Sequence, residues 1–207
     1  MERGEAVAKL KTLEGKDLRP LADQYKITVW KEGKKNKGWA GHVMERFLGL
    51  PLNTSQAPNF GSWELKIVPL KRLCKGDVVL KETMAITMID SVNVLDKEFE
   101  ESHLLAKLKK MVVCARMYES QEEKSSVLVR VATFDLGNRR LYDQIKSDYE
   151  EVRTSIRSSG FNSLTGKMGR LVQPRTKGPG HGSRTRAFYA RKPLVSHILG
   201  LSKLSNL

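Results

Sequence analysis

Short stretches of the chain have the patterns typical of β-strands, in which apolar residues either alternate with polar ones at a period of two or run nearly without interruption. The clearest stretch is residues 63–68, where Glu64 and Lys66 stand two positions apart and are expected on one face. Further strands are predicted at residues 78–80, 84–89, 111–115 and 127–131. Because residues 84–89 are apolar almost throughout, we expect that strand to be central in its sheet.

Apolar residues spaced three and four apart predict helices between these strands. The amphipathic run at residues 41–49 places Glu45 on a helix that ends at Gly49. The other predicted helices are residues 100–110, residues 141–156, and one or two short helices within residues 5–25. The polar residues 119–126 predict a hairpin loop. This order favours an α/β fold with a central mixed sheet flanked by helices.

The Glu64 and Lys66 pair also has the residue types of a nuclease site. Pro58 favours an extended turn, so that Asn59 would enter the strand close to Glu64. With Glu45, these residues would gather carboxyl and amide oxygens, the ligands that Mg²⁺ prefers. The cation would polarise a phosphate, and Lys66 would orient or deprotonate the attacking water. An isolated Glu-x-Lys pattern more often marks a solvated strand edge, so the hypothesis depends on its surroundings.

Positive charge is concentrated towards the carboxyl end of the chain. The 207 residues carry a net charge of +14, and the last 56 residues hold 11 of the 37 lysines and arginines but none of the 23 acidic residues. Such a segment binds a polyanion, which leaves nucleic acid, an anionic membrane surface or an acidic protein. No apolar run approaches the ~20 residues that would span a bilayer, and the amino end does not resemble a signal peptide.

Within this segment, arginine is the better base reader because its fork can bond guanine O6 and N7 together. The candidates for DNA contact are Arg175, Arg184 and Arg186 for bases, and Lys177 and Lys192 for phosphates. His181, between two glycines, either reaches a base or caps a turn. The alternative is a solvated or disordered tail, against which several apolar residues can anchor the segment: Phe188, Tyr189, Leu194, Ile198 and Leu199.

Other chemistries lack support in the sequence. Cys74 and Cys114 have no CxxC or Cys/His spacing for zinc, and we expect both as buried thiols in a reducing cytoplasm. The four histidines form no serine-protease or H-E-x-x-H pattern, and no P-loop sequence indicates a nucleotide cofactor.

Several segments together resemble the MutH and Sau3AI family of DNA endonucleases, nearly end to end. The segments that carry the resemblance are Lys37-Gly38-Trp39-Ala40-Gly41, Glu45, Glu64-Leu65-Lys66, the basic helix at 101–110, Asp148-Tyr149-Glu150-Glu151, the loop at 173–178, Arg186-Ala187-Phe188-Tyr189 and residues 193–199. The resemblance implies a restriction-endonuclease-like core, related to that of MvaI and BcnI, with two lobes around a DNA cleft. One MutH-like domain is expected over residues 1–207, with a catalytic core lobe at about 38–150 and a basic DNA-reading and closing segment at 151–207.

The same resemblance assigns roles to individual positions. Glu45, Asn59 and Glu64 would hold the metal, with Lys66 completing the catalytic set and Lys107 as an accessory lysine near the scissile phosphate. Arg175 and Lys177 would enter the major groove, and Tyr189 would approach the recognised base pair.

Two departures from the family pattern matter, one of residue type and one of spacing. The family has an aspartate at the position of Asn59, and an amide oxygen brings no charge to a hard cation. We interpret Asn59 as an inactivating substitution introduced to trap substrate; a naturally weak or inactive protein is the alternative. The five-residue step from Asn59 to Glu64 is closer to MvaI and BcnI than to MutH, and the loop from Lys177 to Arg186 is short, so recognition of the family's GATC site is an open question.

The leading hypothesis is a Mg²⁺-dependent, sequence-specific endonuclease of the type II restriction class that acts on double-stranded DNA. One alternative is a MutH-like strand-nicking mismatch-repair enzyme controlled by a partner protein. The other is an inactive DNA-binding module of the same fold, which Asn59 favours. The sequence does not decide between a monomer and a dimer.

Overall fold

The computed structural model describes residues 1–49, 58–178 and 185–201. Its helices are α1 (Arg3–Lys11), α2 (Arg19–Gln24), α3 (Trp39–Phe47), α4 (Ser91–Asp96), α5 (His103–Leu108), α6 (Arg139–Ser159) and α7 (Lys192–Ile198), with 3-10 turns at Phe99–Glu101 and Phe161–Ser163. Its strands are β1 (Trp30–Lys31), β2 (Lys34–Lys35), β3 (Glu64–Arg72), β4 (Val78–Leu80), β5 (Met84–Met88), β6 (Lys110–Met117), β7 (Leu128–Asp135), β8 (Val172–Thr176) and β9 (Arg186–Ala190).

The largest sheet has four strands in the order β4-β3-β6-β7. Strands β3 and β6 are parallel, whereas β4 and β7 run antiparallel to their neighbours, so the sheet is mixed. A second, antiparallel sheet has the order β5-β9-β8, and β1 with β2 forms a short hairpin. The predicted α/β class with a mixed sheet flanked by helices is confirmed.

Both faces of the four-stranded sheet are covered, and β6 shows why. Its side chains alternate between two hydrophobic clusters: Met111, Val113 and Ala115 face one, and Val112 and Cys114 face the other. One cluster includes residues of α5, α6 and α7, and the other residues of α1 and α3. A strand with buried residues on both faces is nearly continuous in apolar residues, as β6 is.

The carboxyl-terminal segment is anchored to the core, as its apolar residues predict. Phe188, Leu194, Ile198 and Leu199 are all buried in the cluster that includes α6. Strand β9 is the middle strand of the second sheet and pairs with β5 on one side and β8 on the other. The described part of this segment is therefore folded and is not a solvated tail.

Three local predictions were wrong. The strand at residues 84–89 is not central: β5 lies at the edge of the second sheet, and its apolar residues are buried because α5 packs on it. The helix expected at residues 100–110 is interrupted at Ser102, whose Oγ accepts the Leu105 N–H at 3.1 Å and starts α5 there. Cys74 lies exposed in the turn between β3 and β4, whereas Cys114 is buried as expected.

The hairpin loop between β6 and β7 is confirmed, and it contains a charged centre that the sequence did not indicate. Glu123 is fully buried, with φ of 49°. Its Oε1 accepts from Lys35 Nζ at 2.8 Å and from Arg116 Nη1 at 2.9 Å, and its Oε2 accepts from the indole N–H of Trp39. Because Trp39 is the first residue of α3, this loop fixes the start of the helix that carries Glu45.

Among the helices in the described residues, none is long and apolar enough to cross a membrane.

Candidate active site

Glu64 is the first residue of β3, and the parallel partner strand β6 brings the end of α5 beside it. In the register of this pair Glu64 lies opposite Met111, and α5 ends at Leu108, shortly before β6 begins. Lys107, in the last turn of α5, is therefore held next to the start of β3. Parallel strands begin at the same edge of a sheet, which is why residues far apart in sequence meet here.

The carboxylate of Glu64 is fully buried and has three polar partners. Its Oε1 lies 2.7 Å from Lys66 Nζ and 3.2 Å from Lys107 Nζ, and its Oε2 accepts the backbone N–H of Asn59 at 3.0 Å. The predicted placement of Glu64 and Lys66 on one face of a strand is confirmed by their ion pair. A buried carboxylate is tolerated only with such partners, and Glu64 has two cations and one amide.

Asn59 joins Glu64 to the second carboxylate of the cluster. Its side-chain Nδ2 donates to Glu45 Oε1 at 2.9 Å, and its backbone N–H is the one that reaches Glu64. Burial raises the pKa of Glu45; the positive charge of Lys66 opposes this rise, and the negative charge of Glu64 adds to it. The structure thus brings together all five residues predicted for catalysis: Glu45, Asn59, Glu64, Lys66 and Lys107.

A stacked aromatic pair holds the turn that presents Asn59. The rings of Phe60 and Trp63 are parallel within 9°, with their centroids 3.9 Å apart, on either side of Gly61 at φ 73°. Trp63 is 1% exposed and Trp39 is fully buried, so both tryptophans pack in the core. Two aromatic residues three apart around a glycine were the available sequence signal for this turn.

A third lysine approaches the cluster from the carboxyl-terminal segment. Although Lys177 keeps contact with solvent, burial of its ammonium group and the positive charges of Lys66 and Lys107 lower its pKa. Burial also lowers the pKa of Lys107, an effect that Glu64 opposes and Lys66 reinforces. The sequence marked Lys177 as a DNA contact but gave no sign that the charges of Lys66 and Lys107 would act on it.

The remaining predicted DNA-binding residues lie on or near the second sheet. Arg175 extends from β8, with its guanidinium carbon 5.8 Å from the centre of the Tyr189 ring and its Nη1 3.0 Å from Thr83 Oγ1. Arg186 is the first residue of β9 and lies opposite Thr176, and Lys192 is exposed at the first position of α7. His181 and Arg184 lie outside the described residues.

The oxygen atoms of this cluster suit a hard divalent cation, with one charge fewer than the family pattern provides. Glu45 and Glu64 offer carboxylate oxygens and Asn59 an amide oxygen, and the hydrogen bonds between them show that all three are within reach of one another. Among the described residues, no group of three or more His, Cys, Asp or Glu side chains could hold a metal. Two acids and one amide would be the protein ligands of such a cation.

The chain is similar to known DNA mismatch repair proteins. Residues 48–148 match the family model described as DNA mismatch repair enzyme MutH. The chain is 25% identical to the DNA mismatch repair protein MutH of Haemophilus ducreyi over 94% of this chain and 92% of the relative. The MutH of Actinobacillus pleuropneumoniae serotype 5b is 26% identical over 94% and 92%, and a Vibrio cholerae MutH is 25% identical over 90% and 83%.

Among solved structures, the complex of restriction endonuclease MvaI with its cognate DNA covers 92% of this chain and 94% of its own, at 14% identity and a TM-score of 0.39. The sequence matches indicate a DNA endonuclease. The chain is similar to the MutH-like family of DNA endonucleases.

Proposed function

We propose that this protein is a MutH-like endonuclease that nicks one strand of double-stranded DNA with the help of a divalent cation. The cation that we propose is Mg²⁺. The observation that carries the proposal is the cluster around Glu64, where Lys66, Lys107 and Asn59 meet one buried carboxylate in a chain similar to MutH proteins over nearly its whole length. The restriction-enzyme hypothesis is not confirmed, because the matching family model and the relatives above are mismatch-repair enzymes.

The residues of the cluster divide into cation ligands and phosphate ligands. Glu45, Glu64 and the amide of Asn59 would hold the cation, which when bound polarises the scissile phosphate and lowers the pKa of a bound water. Lys107 and Lys177 would hold the phosphate, and Lys66 would orient the water. Three lysines face two carboxylates here, and the excess positive charge favours an incoming phosphate.

Specific binding would come from the second sheet. Arg175 reads a base in the major groove, Arg186 and Tyr189 complete the reading surface, and Lys192 contacts the backbone. A mismatch-repair activator protein would control the nicking step. We propose the cytoplasm as the location of the reaction.

A second candidate function is DNA binding without cleavage. It is favoured by one observation: Asn59 donates one N–H hydrogen bond to Glu45 and one to Glu64. The family has an aspartate at this position. In this case the lysines would still bind phosphate, while the cation would be held too weakly for turnover.

The three hypotheses give different products from one plasmid experiment. Covalently closed plasmid with hemimethylated GATC sites is incubated with the protein and Mg²⁺, with and without a mismatch-repair activator. A MutH-like enzyme converts it to nicked circles and responds to the activator, whereas a restriction enzyme gives discrete linear fragments without it. A binding module shifts the DNA in a gel and leaves it intact.

Two variants make the result specific to the cluster. Glu64→Gln removes the charge on which both lysines converge, so it should abolish nicking by the same preparation. Asn59→Asp restores the family's acid and should raise nicking. A protein that neither binds nor cuts any DNA in either form would end the proposal.

A further inference from the structure

Helix α6 contains a buried acid that takes no part in the cluster around Glu64. Asp148 is 2% exposed, and among the described residues no cation forms an ion pair with it. Its Oδ2 accepts the backbone N–H groups of Leu171 at 2.8 Å and Val172 at 2.7 Å. Its Oδ1 accepts the N–H of Arg170 at 2.8 Å and the Gln144 amide at 2.9 Å.

Four donors use all the acceptor positions of this carboxylate. Three of them are consecutive backbone N–H groups, and the last belongs to Val172, the first residue of β8. Hydrogen bonds to a charged acceptor are shorter and stronger than neutral ones, so Asp148 fixes where the chain enters this strand.

Two more side chains fix the other side of the same loop. Glu151 Oε2 accepts the Gly169 N–H at 2.9 Å. The guanidinium of Arg191 donates to the carbonyls of Gly166, Met168 and Gly169 at 2.8 to 2.9 Å. We call residues 166–172, with the side chains of Asp148, Glu151 and Arg191, the clamped loop.

The backbone of the clamped loop is most closely packed at Gly169, and no other residue fits there. Gly169 has φ of 71°, and a β-carbon added there would lie 1.8 Å from the carbonyl oxygen of Val172. Only glycine permits this approach of backbone to backbone.

The clamped loop runs directly alongside Arg175. A β-carbon added at Gly166 would lie 3.7 Å from Arg175 Cγ, so the stem of the arginine has the loop as its wall. On its other sides Arg175 contacts Thr83 and the ring of Tyr189. A shift of the loop would therefore change both the backbone position and the lateral support of this side chain.

We infer that Asp148 is a positioning residue for sequence discrimination, which acts by fixing the entry of β8 and with it the place of Arg175. The inference rests on the proposed function, because it needs β8 to read DNA. It adds a residue on α6 that never touches the duplex, and it separates discrimination from phosphate binding and from strand cleavage.

The test measures discrimination and affinity separately. Wild type and Asp148→Asn are each used to select from a pool of duplexes with a randomised central region, and the enriched sequences are read. Dissociation constants are then measured for the wild-type consensus and for the unselected pool. In Asp148→Asn one oxygen becomes an NH₂ group that faces backbone donors, so the loop should lose its fixed position.

We expect the ratio of the two dissociation constants to fall at least about tenfold in Asp148→Asn, with pool affinity nearly unchanged. Glu151→Gln is the matched control, because it keeps an acceptor for Gly169 and should retain the wild-type ratio. In an Arg175→Ala background, Asp148→Asn should cause no further loss of discrimination, since the two act through one contact.

Arg191→Lys serves as a second variant in case Asp148→Asn fails to fold. It removes hydrogen bonds to the carbonyl groups of the clamped loop and should also lower the ratio of the two dissociation constants.

An unchanged ratio in a folded Asp148→Asn or Arg191→Lys protein overturns the inference, as does a loss that adds to that of Arg175→Ala. If the wild type binds no DNA, the proposed function itself is wrong. If it binds without enriching any sequence, the reading role of β8 is wrong.

Discussion

Asn59 donates its side-chain amide to Glu45, with 2.9 Å between Nδ2 and Oε1, and its backbone N–H to Glu64 Oε2 at 3.0 Å. One residue thus connects the carboxylate on α3 with the carboxylate on β3. In both bonds Asn59 supplies an N–H donor, and these donors help to stabilise the two carboxylates when no metal ion is bound. An aspartate at this position would keep the backbone bond and replace the side-chain bond by repulsion between two carboxylates.

The first prediction is that Asn59→Asp makes the stability of the protein depend on divalent cations. Without a cation, the loss of the Asn59 to Glu45 bond and the new repulsion should lower the free energy of unfolding by about 1–3 kcal/mol. Saturating Mg²⁺ should recover that loss, because a cation that binds only the folded state stabilises it. Thermal unfolding with and without Mg²⁺ measures both effects.

Wild type and Asn59→Ala are the comparisons for this experiment. Asn59→Ala loses the hydrogen bond but gains no charge, so its melting temperature should respond to Mg²⁺ no more than that of the wild type. An Asn59→Asp protein whose melting temperature ignores Mg²⁺ would show that position 59 does not contribute to a cation site.

The second prediction concerns the buried Glu123. Glu123→Gln removes the charge that compensates Lys35 and Arg116, and loss of one partner from a buried ion pair costs about 3–5 kcal/mol. Glu122→Gln is the matched control one residue away: its partner Lys124 is 84% exposed, so the cost should be below about 1 kcal/mol. Urea unfolding of the two variants measures the difference, and equal losses would contradict the role of Glu123.

The pH dependence of stability follows from the same residue. Burial acts to raise the pKa of Glu123, but the hydrogen bonds from Lys35 and Arg116 outweigh it and lower the pKa below its ordinary value of 4.5. A lowered folded-state pKa gives stability that is fully present above 4.5 and is lost as the pH falls through the folded value. The urea midpoint of the wild type should therefore fall below pH 4.5 more steeply than that of Glu123→Gln.

The sequence predicted the parts of the site that depend on local geometry. Glu64 and Lys66 share a face because a strand has a period of two, and Glu45 lies on a helix because its apolar neighbours repeat at helical spacing. The position of Lys107 came only from the resemblance to a family, because the parallel pairing of β3 with β6 is a long-range feature.

What the sequence did not predict has a common cause. Strand β5 is apolar because α5 covers it, and neither this packing nor the edge position of β5 is encoded in the strand itself. The same holds for Glu123, whose three partners come from β2, α3 and β6. It holds also for Lys177, whose pKa is lowered by Lys66 of the other sheet. Residues that meet only through tertiary structure leave no periodic signal in a sequence.

The third prediction is that Lys177 contributes one phosphate contact to DNA binding. Lys177→Ala should weaken binding to all sequences and reduce the slope of log K against log salt concentration by about 0.9. Lys9→Ala is the matched control, since Lys9 on α1 is an exposed lysine that pairs with Glu5. Fluorescence anisotropy over a series of salt concentrations measures the slopes, and equal slopes for the two variants would remove Lys177 from the interface.

The fourth prediction is that Lys66 and Lys107 compensate Glu64 jointly. After Lys66→Met or Lys107→Met alone, Glu64 keeps one ammonium group and the Asn59 N–H, so each single variant should lose little stability. In the double variant the buried carboxylate has no cation, and the loss should reach about 3–5 kcal/mol. The two substitutions should thus be non-additive by more than about 1 kcal/mol.

A double-mutant cycle in urea measures this coupling. Lys109→Met is the control for Lys107→Met, because Lys109 lies two residues further along the chain and is exposed. Lys66→Met should also abolish strand cleavage while DNA affinity changes by a few-fold only, because Lys66 acts on the water and Lys107 with Lys177 on the phosphate. Additive losses of stability would mean that the two lysines act independently and do not compensate Glu64 jointly. Cleavage that survives Lys66→Met would assign the water to another group, and Glu45, with its pKa raised by burial, would be the first to examine.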